Sequence, residues 1–348
     1  MSRSKASYEF TPTLDMPVAP DNALFHNKKG EIVPVPVALA PLADTHGHLT
    51  SSHGIDAACA ICRAALAGVR LLVVPIDPVD DLSRGRWATA QEVLSWLDGV
   101  IDTAAALLDV CAQRGLEPPV FAGWSDAPNL LDSIYIVAGA HPYGAADLDR
   151  NALRELEVLL KSPRCVGVGE IGIDFGPYNS LDADVQRKAF EQQLNIACEH
   201  NLPVELHVRN AKEDDKRAAH ALVAEVLEAQ GMPQAGCDLH CFTENPAIVN
   251  TFSQLGCHMA FGGAATFASS DEIRDAVAAC PQELLLSETD SPYMAPVPLR
   301  GQTCEPAMVA CNTACIAQVR SERLGETKQD TYTSVWKNAC SFFGIGRS

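Results

Sequence analysis

Short apolar runs alternate with longer amphipathic stretches from Leu42 almost to the end of the chain. A strand followed by a helix-like stretch, repeated many times, is typical of a parallel sheet with crossover helices. Eight runs have the length and composition of buried strands, and they lie at 42–46, 70–76, 134–140, 165–173, 203–208, 236–241, 257–262 and 284–288. Eight such units predict an α/β fold, a TIM (β/α)8 barrel, in one domain over 41–348.

Helical periodicity supports the stretches between the strands. Phe190, Leu194 and Ala197 recur at i, i+4 and i+7, and Trp336 and Ala339 share one face of a last helix. We expect these stripes to pack against the sheet rather than to hold a cofactor.

Two segments depart from the repeat. Residues 1–40 mix Pro, Lys, Asn and Asp without sustained periodicity, which predicts an extended or partly disordered N-terminal arm. The connection 77–133 is much longer than an ordinary loop, and it contains a predicted helix at about 89–114. We interpret 77–133 as a helical insertion that either caps the site as a lid or simply packs against the barrel.

Composition favours a folded protein in a reducing compartment. The 348 residues are 47% hydrophobic and 20% charged, which is enough apolar material for a large core. No run approaches the roughly 18 apolar residues of a membrane span, and the polar start lacks the apolar region of a secretory signal. The thirteen cysteines are scattered, as expected of reduced thiols rather than a disulfide framework. We therefore expect a cytoplasmic protein with no membrane partner.

The charge balance limits the kind of partner. The chain has 26 Lys and Arg against 44 Asp and Glu, a net charge of −18. Such an acidic surface argues against a protein that binds duplex DNA through many phosphate contacts. An anionic substrate still fits an acidic protein if bound divalent cations are the largest charges near it.

Residue types that ligate metals fall at the ends of five predicted strands. They are His46, His48, Glu170, His207, His240 and Asp290. Acids and imidazoles in buried strands are costly unless they are paired or bound to a metal. Since the carboxyl ends of barrel strands meet at one mouth, the six side chains are predicted to converge on a metal site there.

The ordered motifs then resemble a known family. They are DTHGH, GAHP, VGVGEIGIDF, LPVELHVRNA, HCFTEN, LLLSETDSPY and RGQTCEP. In this order they resemble the TatD family of metal-dependent deoxyribonucleases, from about residue 42 to the end apart from 77–133. The resemblance implies an amidohydrolase-type TIM barrel with two divalent metal ions, which could be Mg, Mn or Zn. It also implies a hydrolase that cleaves phosphodiester bonds in DNA, acting as an exonuclease on single strands or strand ends through water activated by the two metals.

The resemblance implies that His46, His48 and Asp290 hold one metal ion. Asp290 would also orient or deprotonate the attacking water. Glu288 lies two residues earlier and is a candidate to support the centre, with a plain ion-pair partner as the alternative.

For the second metal ion, the resemblance implies His207 and His240 as ligands and Glu170 as the bridge. Two cations a few ångströms apart need a shared anionic ligand that offsets their repulsion.

Four more residues are predicted near the substrate. The resemblance makes His141 a catalytic histidine that contacts the substrate, and the alternative is a capping or supporting role. Arg209 and Lys212 follow His207 and are candidate phosphate ligands, as is Arg300 in the segment PLRG. A solvated helix start is the alternative for Lys212, and a plain loop position is the alternative for Arg300.

The chain departs from the family pattern at three positions. Gly47 replaces the usual Cys between the two leading histidines, Cys304 replaces the usual Asn before Glu-Pro, and Glu244 replaces the usual Gly after HCFT. The last two put substrate contacts in doubt more than metal binding. Two alternatives to a nuclease therefore stay open: a hydrolase of small-molecule or aminoacyl esters at the same centre, and a non-catalytic binding protein on a degenerate barrel.

Overall fold

The computed structural model describes residues 10–51 and 54–346. The described part of the N-terminal arm contains a short antiparallel pair, β1 (Phe25–His26) and β2 (Ile32–Val33). Arg63 anchors the arm, because its guanidinium donates to the carbonyl oxygens of Pro17 and Leu24. Residues 1–9, also part of the predicted arm, lie outside the described residues.

The centre of the fold is an eight-stranded parallel sheet, and its strands follow one another in chain order. They are β3 (Leu42–Asp44), β4 (Val69–Ile76), β5 (Ile134–Ala138), β6 (Cys165–Asp174), β7 (Val204–Arg209), β8 (Cys237–Leu239), β9 (His258–Phe261) and β10 (Leu285–Ser287). The first and last strands meet where the N–H of Thr45 donates to the carbonyl oxygen of Ser287 at 3.2 Å. The predicted TIM barrel is confirmed.

A helix follows every barrel strand, as parallel connections require. The helices are α1 (Ala57–Ala67), α2 (Ala90–Gln113), α3 (Arg150–Leu160), α4 (Ala183–His200), α5 (Ala218–Gln230), α6 (Pro246–Gln254), α7 (Asp271–Ala279), α8 (Val309–Leu324) and α9 (Lys328–Phe342). Phe190, Leu194 and Ala197 are buried on α4, and Trp336 and Ala339 on α9, so both predicted stripes pack into the core.

The helix expected within 77–133 is α2, and it occupies the place of the regular crossover between β4 and β5. The extra length lies in the segment 114–133 after it. This segment reaches the amino ends of the strands, because Arg70 at the start of β4 donates to the carbonyl oxygen of Pro119 at 2.7 Å. Trp87 in the same connection is buried. These placements favour packing over a lid.

None of the described helices is both long enough and apolar enough to cross a membrane. The cytoplasmic location stays a prediction.

Candidate metal centre

The barrel brings the six predicted ligand residues together at the carboxyl ends of its strands, around the carboxylate of Glu170. Glu170 lies in β6 with a side chain only 10% exposed. Its two oxygens face different groups of side chains, and this division organises the whole site.

One oxygen, Oε1, faces the residues from the two strands that close the barrel. It lies 3.5 Å from Nε2 of His46 and 3.4 Å from Nε2 of His48. Oδ1 of Asp290 is 4.0 Å and 3.8 Å from the same two nitrogens. The atoms of His46, His48 and Asp290 are close enough together to ligate one metal ion.

The other oxygen, Oε2, faces the opposite side of the mouth. It lies 3.0 Å from Nε2 of His240 and 3.4 Å from Nδ1 of His207, and these two nitrogens are 3.2 Å apart. Nε2 of His141 is 3.9 Å from the same oxygen. Two further sets of atoms with metal-ligand spacing occur here, His141 with Glu170 and His207, and His46 with Glu170 and His240.

The donor set suits a divalent cation. Imidazole and carboxylate ligands together fit Zn or Mn, and carboxylates with a phosphate fit Mg or Mn. The residues present therefore fit the metal that the motifs imply.

Two buried carboxylates orient the histidines, and the sequence analysis missed both. Oε2 of Glu205 is 2.9 Å from Nδ1 of His46, which leaves Nε2 of that ring as the ligand atom. Oδ2 of Asp174 is 3.0 Å from Nε2 of His207, which leaves Nδ1 as the ligand atom. Both acids lie in apolar strand runs, the same signal that pointed to Glu170.

Charges within the cluster shift its pKa values strongly. Burial alone would raise the pKa of Glu170, but His46 and His240 outweigh it and hold that pKa well below the usual value. Burial alone would lower the pKa of His207, yet its hydrogen bonds to Asp174 and Glu170 raise it to about 9. Burial lowers the pKa of His48 to about 4, and it lowers that of His141 to about 3. Ionised carboxylates and neutral imidazoles are the forms that bind metals.

A layer of buried acids lies beneath the histidines. Glu205, Asp238 and Glu288 are almost completely buried, and each has at least one carboxylate oxygen without a hydrogen-bond partner. Burial raises the pKa of all three carboxyls. Glu288 also accepts a hydrogen bond from the backbone N–H of Cys241. It therefore supports the loop after β8, and no ion pair of its carboxylate is found among the described residues.

Close packing explains the glycine between the two leading histidines. A Cβ atom at Gly47 would lie 2.9 Å from Oδ2 of Asp44 and 3.2 Å from Oγ of Ser291. Asp44 cannot easily yield, because Oδ1 accepts from the N–H of Thr289 at 2.8 Å and Oδ2 from its hydroxyl at 2.7 Å. Gly47 thus lets the chain pass close to the fixed carboxylate of Asp44. Asp290, close by, has a φ of 52°, a left-handed conformation that aspartate tolerates better than most residues.

The predicted substrate residues lie at different distances from the cluster. The ring centroid of His141 is 4.2 Å from that of His207, so it belongs to the centre. Arg209 ends β7, while Lys212 is exposed in the loop after it. The guanidinium of Arg300 lies 4.2 Å from the ring centroid of Phe267.

Two of the departures from the family pattern have structural partners. Oε2 of Glu244 lies 2.6 Å from Nε of Arg217, and Oε1 accepts from Nδ2 of Asn210 at 2.9 Å. Cys304 is buried, with its thiol 4.0 Å from the carbonyl oxygen of Thr289. Both residues therefore shape the wall of the mouth.

Comparisons with known proteins point to metal-dependent hydrolases. The sequence model of the family described as TatD related DNase matches residues 43–344. The chain is 30% identical over 312 residues to an uncharacterized metal-dependent hydrolase TatD from Mycobacterium tuberculosis, which covers 88% of this chain and 98% of that protein. It is 31% identical over 210 residues to a protein from Pantoea vagans named 3'-5' ssDNA/RNA exonuclease TatD, covering 60% of this chain and 77% of the relative.

A solved structure shows the same fold. The crystal structure of a TatD homologue from Escherichia coli K12 superposes with a TM-score of 0.64 at 23% sequence identity. The match covers 87% of this chain and 98% of the other.

Proposed function

Since this chain belongs to the TatD family of metal-dependent hydrolases, we propose that it cleaves phosphodiester bonds in nucleic acid, working from a strand end with two divalent metal ions. The observation that carries the proposal is the position of Glu170, whose two oxygens face two separate sets of ligand atoms. A carboxylate placed in this way can be shared by two cations. When bound, the cations would stabilise the negative charge that develops on the phosphoryl oxygens.

The protein's own residues supply position and proton transfer. Asp290 is 16% exposed and reaches the open side of the centre, where its carboxylate can orient a water molecule in line with the phosphorus and accept its proton. As the new P–O bond forms, the bond to the departing sugar oxygen breaks, and that oxygen takes a proton from solvent. His141 lies beside Glu170 with a lowered pKa, so its neutral ring can contact the substrate.

We assign recognition of the phosphate backbone to positively charged side chains in the loops and strand ends near the mouth of the barrel. Arg209 ends β7 and Arg300 lies in the segment after β10, so they can bind phosphates on different sides of the scissile bond. Lys212 is exposed and can add a weaker, more mobile charge. The relative from Pantoea vagans, named as an exonuclease on single-stranded DNA and RNA, supports nucleic acid over a small ester as the substrate.

The decisive experiment starts from metal-stripped protein. Mg, Mn or Zn is added back singly, and end-labelled single-stranded DNA, single-stranded RNA and a p-nitrophenyl ester are offered in parallel. We expect metal-dependent shortening of the oligonucleotides, with the product ladder giving the polarity, and much slower turnover of the ester.

Two histidine variants provide the comparison. His207→Ala removes a proposed ligand and should abolish cleavage. His200→Ala, at the end of α4 and 3.1 Å from Glu157 on the outside of the barrel, should keep it. Rapid ester hydrolysis with no oligonucleotide cleavage under any metal would contradict the proposal and favour the ester hydrolase.

A further inference from the structure

The end of strand β4 carries an acid that the metal centre leaves unused. Asp77 follows Ile76 directly, and no set of atoms with metal-ligand spacing among the described residues includes it. Its carboxylate accepts three hydrogen bonds, all of them from backbone N–H groups. Oδ1 accepts from Val79 at 2.6 Å and from Asp80 at 3.0 Å, and Oδ2 accepts from His141 at 2.9 Å. One side chain therefore joins the loop after β4 to the loop after β5.

The two loops that Asp77 joins also pack against each other. The loop after β4 forms a helical turn at 78–83, and the loop after β5 forms one at 142–147. Val79 is fully buried, and a Cβ atom at Gly144 would lie 3.1 Å from its side chain. Such a close contact leaves little room for the turns to shift against each other. They form one packed unit at the mouth of the barrel, with Asp77 as a polar link inside it.

The same unit decides which ring nitrogen of His141 faces the metal centre. Nδ1 accepts from the backbone N–H of Tyr143 at 3.1 Å, so the proton of the neutral ring is on Nε2. Nε2 is the atom that lies 3.9 Å from Oε2 of Glu170. A ring nitrogen that carries a proton donates a hydrogen bond and does not ligate a metal ion. His141 thus presents an N–H to the mouth, although its distances to Glu170 and His207 would suit a ligand.

The peptide group between Ala140 and His141 is held on both sides. Its carbonyl oxygen accepts from Nε2 of Gln193, a buried residue of α4, at 3.1 Å. Its N–H donates to Asp77. Gln193 also accepts from the N–H of Ala140 at 2.7 Å, so the preceding residue is held independently of Asp77. The bond to Asp77 therefore sets the direction in which the chain leaves Ala140, and with it the position of the His141 ring.

We propose that Asp77 is a positioning residue for the reaction, because it keeps Nε2–H of His141 directed at a substrate oxygen in the mouth. The inference rests on the proposed function, in which His141 contacts the substrate. Asp81 extends the arrangement, since its Oδ2 accepts from the N–H of Asp77 at 2.9 Å. The carboxylate of Asp81 also forms a hydrogen bond with Thr50 in the loop after β3. Two acids thus join the loops after three consecutive strands.

Asp77→Asn tests the proposal with little change of shape. One carboxylate oxygen becomes an NH2 group, which cannot accept from a backbone N–H. Misplacing a group at a reaction centre can cost about 100-fold in rate, so we expect kcat for single-stranded DNA to fall about 10- to 100-fold. KM should change far less, because a hydrogen bond to the substrate oxygen strengthens as negative charge develops there. Metal affinity should stay the same, because Asp77 holds His141 and not one of the six predicted ligands.

Two further variants make the comparison specific. Asp80→Asn is the matched control, because Asp80 is exposed on the same turn and its carboxylate lies 3.2 Å from Arg84. Its kcat should equal that of the unaltered protein. Asp77→Ser keeps an oxygen that can cap the turn, but its side chain is too short to reach the N–H of His141 as well. It should show the same loss of kcat, and it decides the question if Asp77→Asn does not fold.

The ring of His141 gives a readout that needs no turnover. Nitrogen NMR of metal-free protein with isotope-labelled histidine reports which ring nitrogen carries the proton, and the signals of His141 are those missing from His141→Gln. We expect one neutral form with the proton on Nε2 in the unaltered protein and in Asp80→Asn. In Asp77→Asn the ring should populate both neutral forms, because it is no longer held against the N–H of Tyr143.

A double variant separates positioning from a general loss of stability. In a His141→Gln background the ring is absent, so Asp77→Asn should lower kcat no further. An equal loss of kcat in both backgrounds would overturn the proposal, as would an unchanged kcat or an unchanged ring signal in Asp77→Asn and Asp77→Ser. If the unaltered protein cleaves no oligonucleotide with any metal, the proposed function fails, while the NMR comparison still shows whether Asp77 positions the ring.

Discussion

The contact between Asp174 and His207 yields a quantitative prediction for metal binding. Asp174 is fully buried, with Oδ2 3.0 Å from Nε2 of His207 and Oδ1 accepting from the N–H of Gly176 at 2.5 Å. In Asp174→Asn, one of these oxygens becomes an NH2 group, which can only donate. If it faces His207, the ring proton must move to Nδ1, the atom directed at Glu170. If the NH2 group faces Gly176 instead, it lies opposite the backbone N–H of that residue, and neither donor has an acceptor.

Either orientation should weaken the proposed metal site that includes His207. Loss of such a supporting carboxylate typically lowers metal affinity 10- to 100-fold, which corresponds to about 1.4–2.8 kcal/mol. We expect this loss when metal-free Asp174→Asn protein is titrated calorimetrically with Mn or Zn. Because the two side chains have nearly the same shape, the circular dichroism spectrum should not change.

Asp182→Asn is the matched control for this prediction. Asp182 precedes α4, is exposed, and its side chain makes no capping hydrogen bond there. The Asp182→Asn variant should bind the metal with the same affinity as the unaltered protein. If Asp174→Asn binds metal as tightly as Asp182→Asn does, the orienting role of Asp174 is refuted.

Three further predictions concern Asp290, the N-terminal arm and the thiols. Asp290→Asn should lower kcat at least about 100-fold in the oligonucleotide assay while the protein stays folded, and near-normal turnover would rule out its role in proton transfer. Arg63→Ala leaves the buried carboxylate of Glu305, now 2.6 Å from that guanidinium, without its partner, so urea denaturation should show a loss of about 3–5 kcal/mol; an unchanged midpoint would contradict this. Cys198 is the one exposed thiol of the described chain and should be alkylated first by iodoacetamide, as peptide mass mapping can show. Burial raises the pKa of Cys62, which should stay unmodified; equal labelling of both would disprove the expected protection.

Much of the fold and the ligand set could be read from local patterns. Eight apolar runs predicted eight strands, and each observed strand lies within its predicted range or extends one residue beyond it, because strand length and hydrophobicity are properties of a few consecutive residues. Four of the six ligand-type residues follow a strand, and Glu170 and His207 lie in the carboxyl-terminal half of one; in a parallel barrel these strand ends share one mouth. Residue type and position along each strand were therefore enough to predict that they meet.

The partners of these residues could not be predicted in the same way. Glu205 faces His46, and Asp174 faces His207, only because of which strands are neighbours and how their residues are aligned. The two members of each pair lie on or just after different strands, 159 and 33 positions apart in the chain. The role of α2 also depends on the tertiary structure. The sequence favoured an insertion there, and the strand order shows that α2 is the crossover helix between β4 and β5.

The clearest case is the contact between His46 and Asp290, which are 244 positions apart in the chain. The backbone N–H of Asp290 donates to the carbonyl oxygen of His46 at 2.9 Å. Only closure of the ring between β10 and β3 brings these two segments together. The sequence by itself determined which chemical groups the chain carries and which short elements carry them. The tertiary structure decided which groups face one another, because contacts between distant segments follow from strand order and register and not from any local pattern.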